Sequence, residues 1–213
     1  MHDLKALMPK TVSILEKLSK LDFLRSFTFV GGSALSVYLQ HRLSEDIDLF
    51  TWHKKLDTNV IQDSLNELNL KNVRIINISE KQCDYILDEV KVSFFANNWN
   101  ELKKRTAISG NLFISNLETI AVMKVNTLFM RAKFRDYYDL YVINLKHFSL
   151  PELFEMTNSK MNNLNLTLFQ RALCYTDDIE DENIEHLKLK YNVDIKEIEK
   201  HFIKKIKEMN KYL

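Results

Sequence analysis

The sequence predicts an α/β (α+β) domain with a mixed sheet, followed by an all-α helical bundle domain, and three observations carry that prediction. Only three glycines occur in 213 residues, against roughly fifteen for an average composition. Two of them, Gly31 and Gly32, stand together between the apolar run Phe27-Thr28-Phe29-Val30 and Ser33, an order that reads as strand, tight turn, helix. Downstream, Asp46-Ile47-Asp48-Leu49 alternates polar and apolar residues, as a strand with one buried face does. Beyond Asn116 the apolar residues recur only at helical spacing. The period therefore changes along the chain, and with Gly110 it sets a boundary: residues 1–110 form the mixed domain and 111–213 the helical one.

The elements follow in order. Leu4, Leu7, Val12, Leu15, Leu18 and Leu21 keep a helical period through residue 24, interrupted by Pro9, which predicts a packing helix with a kink or a late start. Ser33 to Arg42 makes a short helix and Asp46 to Trp52 a strand. Asp57 heads another helix, with Val60, Ile61, Leu65 and Leu68 on its apolar side. Three strands then run between Asn72 and Ala96, carried by Val73, Ile75 and Ile78, by Cys83, Tyr85 and Leu87, and by Val90, Val92 and Phe94. Asp88-Glu89 is a tight turn between the last two. Further on, helices are broken near Lys133, at Ser149 before Pro151, around Asn162 to Asn165, and across Asp177 to Glu182. The last helix, Asp194 to Leu213, sets Ile195, Ile198, Phe202, Ile203 and Ile206 against a lysine-rich face. That face is either simply solvated or a footprint for an RNA backbone.

Composition excludes several classes. Thirty Lys and Arg against 29 Asp and Glu leave a net charge of +1, so no whole-molecule field draws in nucleic acid and any RNA contact needs a local patch. Cys83 and Cys174 lie far apart in a chain without secretory features, which predicts packing roles in a reduced, cytoplasmic protein. No stretch approaches the roughly 20 apolar residues of a membrane span, and the N-terminus lacks the apolar region of a signal peptide. Neither membrane insertion nor export is expected.

A small set of residues carries chemistry. A turn at Gly31, Gly32 and Ser33 lets backbone N–H groups and a hydroxyl at a helix N-terminus approach an anion such as a triphosphate. The same three residues also serve a plain strand-to-helix turn, with Ser33 as its cap. Asp46 and Asp48, two apart on a strand, project from one face and can grip one hard divalent cation. Without a cation their repulsion costs about a few kcal/mol at intermediate dielectric. A calcium loop of the EF-hand type is excluded, because no glycine or bidentate glutamate follows at its offsets. Arg42 either meets a phosphate or pairs with these aspartates and orients them; His41 beside it reads as a surface residue. Lys124 sits in a helix, Leu117 to Arg131, that is apolar on almost every side. Its ammonium either snorkels to solvent or enters a polar cleft to neutralise phosphate. Asp136 and Asp139 share one helical face near Arg131 and Arg135, as a salt-bridge network or as part of the same site.

Two strings are similar to a known family. Phe29-Val30-Gly31-Gly32-Ser33-Ala34-Leu35, followed by His41-Arg42-Leu43-Ser44-Glu45-Asp46-Ile47-Asp48-Leu49-Phe50, resembles the first motif of the AbiEii/AbiGii-toxin-like nucleotidyltransferases, a branch of the polymerase-β-like superfamily. Ile120-Ala121-Val122-Met123-Lys124, then Arg131, then Arg135-Asp136-Tyr137-Tyr138-Asp139-Leu140-Tyr141, is similar to the second, with a fainter likeness at Leu173 to Glu180. The resemblance implies a nucleotidyltransferase domain followed by a helical one, and transfer of a nucleotidyl group from an NTP with Mg²⁺ (or Mn²⁺). By this resemblance Asp46 and Asp48 bind the metal and catalyse, joined by Lys124, Asp136 and Asp139. Gly31, Gly32, Ser33, Arg42, Lys124 and Arg131 bind the NTP. It further implies a toxin role in a type IV toxin–antitoxin pair, with an antitoxin protein as partner and an RNA 3′ end (tRNA-like), a protein or a small molecule as acceptor. One departure stands out. Many relatives in the superfamily carry a third carboxylate on a later strand, where Val90-Lys91-Val92-Ser93-Phe94-Phe95 offers Ser93; either Asp136 or Asp139 substitutes from the helical domain, or a second metal binds weakly. A catalytically silent relative acting as an RNA- or protein-interaction module is the alternative from another class, and a metal-dependent glycosyltransferase a third reading of Asp-x-Asp.

Overall fold

The computed structural model describes residues 3–131, 133–161, 164–177, 179 and 184–211. It divides into two compact units, Met1–Thr119 and Ile120–Leu213.

The first unit is built on one seven-stranded mixed sheet. Its strands are β1 (Thr28–Val30), β2 (Ile47–Thr51), β3 (Val73–Ile78), β4 (Gln82–Leu87), β5 (Val90–Ala96), β6 (Arg105–Ser109) and β7 (Leu112–Ser115), in the order β3-β4-β5-β2-β1-β7-β6. The pairs β2·β5 and β1·β7 are parallel and the others antiparallel. Strand periodicity gives the central strands two different faces. Ile47, Leu49, Val92, Phe94, Cys83 and Tyr85 are buried on one, where α1 (Pro9–Leu18) packs on β5 and α2 (Gly31–Leu39) on β1 and β2. There desolvation pushes the Tyr85 hydroxyl up to about 12. Asp48, Ser93 and Asp84 lie on the other face, side by side in register.

Local chemistry explains most boundaries. Pro9 opens α1, because its missing N–H is harmless in a first turn, so the interruption is a late start; the helix stops at Leu18 and a 3-10 turn spans Asp22–Ser26. Asp57 caps α3 (Thr58–Asn66) by accepting from the Val60 N–H at 3.1 Å. Asp88 and Glu89 both adopt positive φ, 45° and 71°, the mirror-image turn whose twist suits a two-residue hairpin. Asp88 Oδ1 also accepts from the Lys71 and Asn72 N–H groups, each at 2.9 Å.

Sequence periodicity does not reveal the β6–β7 hairpin. Strand β6 is an edge strand with little burial, so it carries no alternation to read. Gly110 turns the hairpin at φ +52°, and a β-carbon there would lie 2.5 Å from the Ser19 carbonyl oxygen.

The second unit is helical: α4 (Leu117–Met130) leads into it, followed by α5 (Phe134–Lys146), α6 (Leu150–Asn158), α7 (Leu166–Cys174) and α8 (Ile195–Met209). Helix α8 packs on α5, α6 and α7 through an apolar face that buries Ile198, Phe202 and Met209. Ser149 and Asp194 each close a capping box, with Glu152 and Glu197, and Asn165 caps α7. Of the expected helix breaks, Asn162, Asn163, Asp178 and residues 180–182 lie outside the described residues, as do the last two residues of the chain. Among the described residues no helix is long and apolar enough to cross a membrane.

Candidate active site

The first unit brings together Gly31, Ser33, Arg42, Asp46 and Asp48. Strand register sets Val30 opposite Asp48, so the chain enters α2 directly beside that carboxylate. Gly31 makes the entry at φ +76°, where an added β-carbon would lie 2.2 Å from Asp48 Oδ2 and 3.1 Å from its Cβ. Glycine is needed twice over, for the left-handed backbone and for the close approach. The N-cap of α2 is Val30, which has no side-chain acceptor. The positive end of the helix therefore carries no side-chain cap of its own and faces the approach to Asp48.

Ser33 does a different job from the one its position suggests. It is 1 % exposed, its Oγ lies 2.8 Å from Ser44 Oγ, and it donates to the Asp46 carbonyl. Arg42 is also buried and donates from Nη1 to the Leu43 carbonyl at 3.0 Å and to Ser44 Oγ at 3.1 Å. Thr11 Oγ1 holds the Glu45 carbonyl at 2.8 Å. Together these bonds pin the segment that delivers Asp46. His41, expected at the surface, is fully buried. The left-handed Gln40 ends α2, and the N-terminal segment then runs beside the chain through the bridge Leu7↔Ser44.

A third carboxylate lies on the same sheet face. Asp48 pairs with Ser93 across β2·β5, and Ser93 pairs with Asp84 across β5·β4. Ser93 Oγ donates to Asp84 Oδ1 at 2.6 Å, and Gln82 Nε2 donates to Asp84 Oδ2 at 2.7 Å. Sequence reasoning passed over Asp84, although the signal was present: counting back from the Asp88-Glu89 turn sets Leu87 against Val90 and hence Asp84 against Ser93. Among the described residues no three His, Cys, Asp or Glu side chains cluster as a ready cage for a metal ion. The oxygen donors of Asp46 and Asp48 nonetheless fit a magnesium ion, which takes one or two carboxylates and completes its shell with water and phosphate.

The second unit brings together Lys124, Arg131, Asp136 and Asp139. Lys124 Nζ lies 3.0 Å from Asp136 Oδ1 and 2.7 Å from Asp139 Oδ2, with all three side chains buried. Arg131 Nε stands 3.8 Å from Asp136 Oδ2, an atom that is buried and makes no hydrogen bond among the described residues. The lysine in the apolar helix is thus explained by its partners: it does not snorkel, it is clamped by two carboxylates one helix away. Between those aspartates the Tyr137 hydroxyl lies within hydrogen-bond reach of the Ala172 and Tyr175 carbonyls, tying α5 to the end of α7, and burial pushes its pKa upward.

Residues 13–96 match the family model described as nucleotidyl transferase AbiEii toxin, type IV TA system. A protein of Aquifex aeolicus (strain VF5), named uncharacterized protein aq_aa25, is 30% identical over 197 residues, 91% of this chain and 93% of its own length. The chain belongs to the AbiEii nucleotidyltransferase toxin family. This AbiEii-family chain also shares its fold with JHP933 from Helicobacter pylori, at a TM-score of 0.56 and 18% identity over 97% of this chain and 99% of that one. A second likeness is to MenT4, nucleotidyltransferase toxin of Mycobacterium tuberculosis H37Rv, at a TM-score of 0.60 and 13% identity over 91% of this chain and 80% of that one. The fold, a mixed sheet with helices followed by a helical region, is therefore that of the nucleotidyltransferases.

Proposed function

We propose that the protein transfers an NMP from an NTP to a hydroxyl acceptor with Mg²⁺ (or Mn²⁺), as the cytoplasmic toxin of a type IV toxin–antitoxin pair. The observation that carries this reading is the seat of Asp48, whose carboxylate rests against the glycine that opens α2. A metal carboxylate and the positive end of a helix at one place suit a metal-bound polyphosphate.

A bound divalent cation would neutralise phosphate charge and lower the pKa of the attacking hydroxyl. The chain's residues supply the rest. Asp46 and Asp48 hold the cation. The backbone at Gly31 and Gly32 offers N–H groups to the phosphates without a side chain in the way. Ser33 and Arg42 keep Asp46 in place through its own segment. Catalysis of this kind is positioning and electrostatics. For Lys124, Asp136, Asp139 and Arg131 we propose a part in the same reaction, in addition to the charge balance they give the second unit.

The test is incorporation of label from an α-labelled NTP in Mg²⁺, with RNA, protein and small-molecule acceptors offered separately. Wild-type protein labels one acceptor class and Asp48→Asn does not. Equal labelling by the variant would falsify the reading.

One observation favours a second reading, a silent interaction module: the Lys124 ammonium is already held by two carboxylates. A thermal midpoint unmoved by Mg-NTP would support it, because a ligand that binds the native state must raise the midpoint.

A further inference from the structure

A buried charge on the sheet face that carries Asp48 points to one more working residue. Asp84 is 6 % exposed, and the partners of its carboxylate are both neutral, Ser93 Oγ and Gln82 Nε2. It makes no ion pair among the described residues. A carboxylate this deep is costly unless a positive charge offsets it. The protein's other buried acids show the usual solution, since Asp136 and Asp139 share the Lys124 ammonium. Nothing of that kind meets Asp84.

The sheet register shows where the offsetting charge belongs. Asp84, Ser93 and Asp48 occupy one lateral row, with strands about 4.8 Å apart. Residues paired in this way project from one face, so Asp84 and Asp48 flank Ser93 from either side. The Ser93 proton is committed to Asp84, which leaves the lone pairs of its oxygen as acceptors. Asp84 thus lends negative potential to the Asp48 side of the row through a hydroxyl that it orients. Asp84 and Asp48, on either side of Ser93, carry like charge in one row, and a divalent cation beside Asp48 offsets the charge of both.

We propose that Asp84 is a positioning residue for the divalent cation held by Asp46 and Asp48, acting through Ser93 from the neighbouring strand. The acid missing at Ser93 is then displaced by one strand, and Asp136 and Asp139 are not required as its substitute. This inference rests on the nucleotidyl-transfer reading, so its test must separate the two.

The experiment measures Mn²⁺ affinity by paramagnetic titration, without nucleotide, alongside the thermal midpoint of the metal-free protein. Asp84→Asn keeps the shape and an acceptor for Ser93 while removing the charge. The expected result is Mn²⁺ affinity weakened about fivefold or more, with the metal-free midpoint equal to or above that of the wild type because a buried charge is gone. A purely structural Asp84 gives the opposite: a lowered midpoint and wild-type affinity, and that result overturns the proposal. Asp48→Asn is the control. If it too binds Mn²⁺ like the wild type, the metal site itself fails and the transfer reading goes with it. If it loses the metal while Asp84→Asn does not, only the present inference falls. Should Asp84→Asn not fold, the swap Asp84→Ser/Ser93→Asp decides, since it keeps the hydroxyl–carboxylate pair and moves the charge next to Asp48. Affinity equal to or above wild type supports the proposal, and weaker affinity overturns it.

Discussion

Asp48 Oδ2 occupies the space that a β-carbon on Gly31 would need, 2.2 Å from the position such an atom would take. The two residues come from different elements, one opening α2 and the other near the start of β2. Their contact makes the double-glycine turn and the acidic pair a single structure.

Gly31→Ala therefore carries two penalties. The left-handed backbone at φ +76° costs a residue with a β-carbon about 1–3 kcal/mol, and the carboxylate must also move. Urea denaturation should show that loss, together with loss of transfer. In an Asp48→Ala background the same substitution should cost less, because only the backbone term remains. Additive effects would mean that the two side chains do not compete for the space.

Lys124→Met should be among the most damaging substitutions in the second unit. It leaves Asp136 and Asp139 buried without their shared ammonium, and breaking a buried pair typically costs about 3–5 kcal/mol. Adding Asp136→Asn and Asp139→Asn should recover part of that loss by removing the uncompensated charge. Equal stability of Lys124→Met and the triple variant in chemical denaturation would contradict this account.

Glu89→Gly should stabilise the protein. Glu89 holds φ 71° in the hairpin turn, a conformation glycine adopts without strain, and its exposed pairing with Lys10 contributes little. The expected gain is about 1 kcal/mol, read as a raised denaturation midpoint. Asp88 must be kept or replaced by Asn, because its Oδ1 accepts two backbone N–H groups.

His201 sets a pH dependence in the helical unit. Desolvation, helped by Lys205 and Lys204, lowers its pKa below the ordinary 6.5, while Nε2 meets Asn144 Oδ1 at 2.8 Å. The unfolded chain then binds the proton more readily than the folded one, so stability is complete above about pH 6.5 and falls as the pH drops through the folded pKa. His201→Gln should flatten the thermal midpoint between pH 7.5 and 5.5, roughly the window in which an unperturbed histidine titrates. A slope unchanged by the substitution would assign the effect elsewhere.

Much of this was legible in the residue order because local rules dominate there. Pro9, Asp57, Ser149 and Asp194 mark helix starts by capping chemistry, and Asp88-Glu89 marks a hairpin by turn chemistry. The glycine pair and the alternating aspartates are legible for the same reason, as the turn and the strand that the structure sets against each other. Where no period exists, as in the exposed β6, the reading failed.

What the chain order determined by itself was the kinds of element and the residues that carry charge into the site, since caps, turns and hydrophobic periods act within a few residues. What only the tertiary structure decided was partnership. Ser33 turns its hydroxyl to the Asp46 carbonyl, Lys124 is clamped by Asp136 and Asp139, and Asp84 joins the row of Asp48 through Ser93. Those pairings join residues distant along the chain or on separate strands and helices, and a buried polar group takes whichever partner the packing brings within reach.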